Sequence, residues 1–85
     1  MRNYNYWQQK VEMPDSRWKV KFVPLTSSSI NEGIPSVHKI EINGKLTGMI
    51  FHDMEGWKVQ ENKIGLSVEE REILGNVILW HYRTG

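Results

Sequence analysis

The sequence predicts an α+β fold: an antiparallel meander of four or five strands with a C-terminal helix packed on one face. Three stretches predict it. Residues 17–25 alternate polar with apolar, Ser36–Asp53 folds back on itself across Asn43-Gly44, and residues 67–82 open with a capping box and continue with apolar side chains three and four apart. Eighty-five residues provide for one small domain with one core.

The first segment, up to Met13, carries two patterns. Tyr4, Trp7 and Val11 have helical spacing, while the aromatic alternation Tyr4-Asn5-Tyr6 suits a strand. The strand is the better reading because Pro14-Asp15 supplies turn chemistry and Arg17 then begins a second strand, so residues 4–13 and 17–24 form a hairpin. In that second strand Trp18, Val20 and Phe22 share one face and Arg17, Lys19 and Lys21 the other, with Pro24 at its end. Residues 26–35, TSSSINEGIP, read as a mobile surface loop and a candidate contact site.

Asn43-Gly44 between alternating hydrophobics signals the central hairpin. Side-chain matching favours a three-residue loop with a bulge at Gly44, pairing Glu41 with Lys45 and Ile40 with Leu46. Ile40, Leu46 and Ile50 then face inward, Gly48 lies opposite His38, and Thr47 faces solvent. Met54-Glu55-Gly56 turns the chain into a short strand with Trp57 and Val59 on one side. Ser67 is the helix cap, Glu70 completes the box, and Ile73, Leu74, Val77, Ile78 and His81 form a stripe that stays in phase across Gly75. The helix is therefore expected to run without a break over about residues 68–82.

Several functions lose their chemical basis. With no cysteine, disulfides, thiolate catalysis and cysteine-ligated zinc are impossible. Neither phosphate-loop pattern occurs, so no nucleotide cofactor is expected. His38, His52 and His81 lack metal-ligand spacing, and Asp53 and Glu55 beside His52 read as turn residues, not an acid–base pair. No catalytic, metal or cofactor residue is assigned, and the chain is not expected to be an enzyme. No apolar run approaches the roughly 20 residues of a membrane span and no leader pattern opens the chain, so a soluble cytoplasmic protein is expected.

What remains is binding. Four tryptophans and three tyrosines are many for one small core. Trp18 and Trp57 are interior by alternation, whereas Trp7, Trp80 and Tyr82 are harder to bury together and are the candidate protein-contact residues. The expected function is a small non-catalytic regulatory module acting through protein contacts, as a homodimer or with another protein, in the manner of a microbial or phage accessory or inhibitor protein. The alternative partner is nucleic acid. Residues 1–25 place Arg2, Lys10, Arg17, Lys19 and Lys21 against Glu12 and Asp15, and Arg17, Lys19 and Lys21 with neighbouring aromatics form a strip suited to phosphates and bases.

Overall fold

Alternating segments that cannot bury a polar face pair edge to edge, and this chain does so in the computed structural model, which describes residues 6–25, 29–31, 34–35 and 37–84. The elements in chain order are β1 (Trp7–Glu12), β2 (Arg17–Pro24), β3 (Ser29–Asn31), β4 (Ile34–Pro35), β5 (Val37–Ile42), β6 (Lys45–Asp53), β7 (Gly56–Gln60) and the helix α1 (Val68–Thr84). Five strands make one antiparallel meander in the order β1-β2-β5-β6-β7, and β3 pairs with β4 in a separate ladder. The expected fold class is therefore the observed one, with the larger strand number.

The first segment is a strand, and its Trp7, Gln9 and Val11 lie opposite Phe22, Val20 and Trp18. Met13 N–H donates to the carbonyl of Ser16 at 2.7 Å and closes the hairpin there. Tyr4 and Asn5 fall outside the described residues. The stretch expected to be loop, residues 26–35, contains the β3–β4 ladder; its residues 26–28 and 32–33 lie outside the described residues, as does Ser36 at the start of the expected hairpin.

The central hairpin corrects the expected register. Ile42 pairs with Lys45 across a two-residue turn in which Asn43 and Gly44 both take positive φ, 52° and 84°. The irregularity sits one step further on: Glu41 pairs with Leu46, Ile40 with Gly48, and Thr47 is the extra residue. Leu46 is accordingly exposed while Thr47 is wholly buried, the reverse of the expectation, and His38 faces Ile50 instead of Gly48. Gly48 is required by backbone rather than by the helix, since a β-carbon there would stand 2.3 Å from the Gln60 carbonyl oxygen.

One face of the sheet is sealed by α1. The helix begins as the sequence predicts: Glu70 N–H donates to Ser67 Oγ at 3.1 Å and Ser67 N–H to Glu70 Oε1 at 2.9 Å. Before the cap, Asn62 binds both backbone groups of Leu66, and Arg71 ties the Leu66 carbonyl to the Trp57 carbonyl. The helix runs unbroken through Gly75. A β-carbon at that position would come within 2.2 Å of the Trp57 ring, so glycine is what lets helix and sheet meet. Leu74 and Ile78 are driven into the layer of Val20, Phe22, Ile40 and Ile50, each contributing about 2 kcal/mol of burial. No helix among the described residues is long and apolar enough to cross a membrane.

Candidate functional site

Three places concentrate chemistry-bearing side chains. The first is an aromatic cluster where the end of α1 meets β1, β2 and β5. Trp7 lies flat on Phe22 with ring centres 4.8 Å apart, and His81 stacks against the same indole at 3.6 Å and 3°. Tyr82 meets Trp7 edge-on, and its hydroxyl is 2.8 Å from His38 Nε2. His38 is 1% exposed, and burial, with His81 nearby, lowers its pKa to about 4. Burial also lowers that of His81. Both imidazoles are thus held neutral as packing groups that fasten the helix end to the sheet. Two of the three candidate contact residues, Trp7 and Tyr82, belong to this cluster and are half-buried within the chain itself.

The third candidate, Trp80, is elsewhere. It is 69% exposed on the side of α1 turned from the core. With Ile73, Asn76 and Val77 of the helix and Gln9 of β1 it lines an open groove of about 370 Å³. Leu74 and Ile78 face the sheet, so at 100° per residue Trp80 must point away.

The third place is the helix-free face of the sheet. Because partners across the strands share a face, the register gathers residues that the sequence leaves scattered. Lys10 lies opposite Lys19, Glu12 opposite Arg17, and Lys21 sits between Gln8 and Glu41, with Val23, Lys39 and Met49 in the next row. Arg17 is engaged by Glu12, an exposed pair of little energetic weight. Lys21 Nζ stands 4.5 Å from the ring centre of the exposed Tyr6. Gln8, Lys19, Lys21, Glu41 and Gly44 outline a shallow depression of about 120 Å³. Half-buried Val37, Met49 and Phe51 continue the face toward β6.

The three expected cations therefore share one surface with Lys10, which the sequence already groups with them, and the structure adds Lys39. Period-two alternation in residues 8–12 and 37–41 carried that signal, but only the strand order places those residues beside β2. His52 is exposed, edge-on to Trp57 at 5.1 Å. Among the described residues no three histidine or carboxylate side chains converge in a set able to hold a metal ion. Compared with family models, curated proteins and solved structures, the chain matches none.

Proposed function

We propose that the protein is a non-catalytic binding module that acts through protein contacts, with the outer stripe of α1 around Trp80 as its contact surface. The observation that carries this reading is a tryptophan 69% exposed on an apolar groove, when the other tryptophans of the chain are at least half-buried. Large aromatics seated in shallow apolar surroundings are the side chains on which protein interfaces concentrate their binding energy. Trp7 and Tyr82 serve this surface indirectly, by fixing the end of the helix that presents Trp80.

The test is quantitative capture from native lysate with tagged chain and with Trp80→Ala. Trp80 lies outside the core, so the variant should keep its fold, which circular dichroism checks. A bound protein, including a second copy of the chain, that is retained by the original and lost by the variant supports the reading. Identical capture by both ends it.

A second reading has its own observation. Lys10, Lys19, Lys21 and Lys39 share the helix-free face with Tyr6 and Phe51, an arrangement that offers cations to phosphates and rings to bases. That surface is on the other side of the sheet from Trp80, so the two readings are separable by mutation.

A further inference from the structure

We propose that the protein partner of the Trp80 surface is a second copy of this chain, docked as a symmetric pair of antiparallel α1 helices. The proposal rests on the reading of that surface as a protein contact and names its occupant.

Turned from the buried Leu74 and Ile78, the helix carries Glu69, Asn76, Trp80 and Arg83 on its outer side, with Ile73 on the flank of that stripe, where it also packs against the core. The spacing is four, three, four, three, which is the seam that two helices share when they pack side by side. All but Ile73 are exposed, and Ile73 is half-buried at the groove. This stripe is polar at its ends and apolar around its middle.

Charge then selects the orientation. Glu69 marks the beginning of the stripe and Arg83 its end. Parallel helices would set Glu69 beside Glu69 and Arg83 beside Arg83. A two-fold axis at Asn76 sets Glu69 of each copy against Arg83 of the other at both ends, places Ile73 against Trp80 of the second copy, and opposes the helix dipoles. Asn76 meets its own equivalent on the axis, where a side-chain amide can both donate and accept and so fixes the register at some expense of affinity. Glu72 is not needed for the contact, since its carboxylate accepts the Trp57 N–H at 3.4 Å.

The other broad surface is poorly suited to self-association. A symmetric sheet-to-sheet dimer would draw the Lys10, Lys19 and Lys21 clusters of both copies together, which charge opposes. The helix seam carries both signs and suffers no such conflict. A helix of 17 residues is about 25 Å long, so the pair lies at the small end of specific interfaces and should dissociate in the micromolar range.

Sedimentation equilibrium of the intact chain from about 5 to about 500 µM, at low ionic strength, tests this. A reversible monomer–dimer equilibrium is expected, weakened about tenfold or more by Arg83→Glu and by Trp80→Ala. Combining Glu69→Arg with Arg83→Glu should recover most of the loss, and Asn76→Leu should tighten the dimer. Circular dichroism establishes that each variant is folded. A chain monomeric across the range overturns the proposal, as does a dimer indifferent to Arg83→Glu or one that the charge swap fails to restore. A monomer that still captures another protein through Trp80 sinks the dimer alone; absence of any Trp80-dependent capture sinks the parent reading as well.

Discussion

His38 sits 1% exposed on β5, with its Nε2 against the Tyr82 hydroxyl and Trp7 across its edge, and burial lowers its pKa to about 4. In the unfolded chain the same imidazole titrates near its ordinary value of about 6.5. Above that value both states are neutral and His38 adds no pH dependence. As pH falls from about 6.5 to 4 the unfolded state binds a proton that the folded state refuses, so stability must fall at about 1.4 kcal/mol per pH unit. The loss levels off below the folded pKa at about 3 kcal/mol. His81, whose pKa burial also lowers, acts in the same direction. An 85-residue domain has only about 4–13 kcal/mol in total, so the melting temperature should drop by about 10–20 °C. Carboxylates also titrate in this window, and the measurement must separate them. Urea unfolding of the original chain and of His38→Gln, at several pH values between about 7 and 4, does so by comparing slopes. Glutamine retains a hydrogen-bonding group for Tyr82 but binds no proton, so its stability should decline less steeply. Parallel slopes for the two chains, or an imidazole resonance of His38 titrating at or above about 6.5, would refute the reasoning.

Two further perturbations test the packing and the second surface. Gly75→Ala improves helix propensity by about 1 kcal/mol but drives a β-carbon into the Trp57 ring, where overpacking costs about 1–3 kcal/mol, so thermal melts should show net destabilisation; a stabilised variant would mean that the indole moves aside cheaply. Lys19→Glu combined with Lys21→Glu should abolish binding of fluorescently labelled single-stranded DNA or RNA at low salt, and binding by the original chain should weaken steeply as salt is raised; unaltered anisotropy of both probes with the original chain would eliminate the nucleic-acid reading.

Most of the fold was legible because each element announced itself locally. Alternation identified β2, the Ser67–Glu70 box located the start of α1, and the continuous apolar phase carried the helix through Gly75. The hairpin register was not legible, for a physical reason. Side-chain matching moves the irregularity to Gly44, but Asn43 readily adopts positive φ and the tight turn forms instead. The bulge is fixed by distant partners: Lys63 N–H donates to the Thr47 carbonyl, and the Gln60 carbonyl presses on Gly48. No local pattern contains those contacts. The same holds for the aromatics. Trp7 and Tyr82 were expected to be difficult to bury, and they are accommodated by each other and by His38 and His81, across up to 75 positions of sequence. Trp80 remains outward because Leu74 and Ile78 have already fixed which side of α1 faces the sheet.

The arrangement has a consequence for how the two surfaces relate. Trp80 and the lysine face lie on opposite sides of one sheet-and-helix layer, so a dimer joined through α1 turns both cationic faces outward and away from each other. A short polyanion can then reach only one face, and its affinity should not depend on dimerisation. A long one that wraps around the pair gains the second contact as an intramolecular event, with an effective concentration set by the length of strand between the faces. If both proposed surfaces act as described, back-to-back placement would make strand length the variable that couples self-association to anion binding, with no conformational change required in either copy.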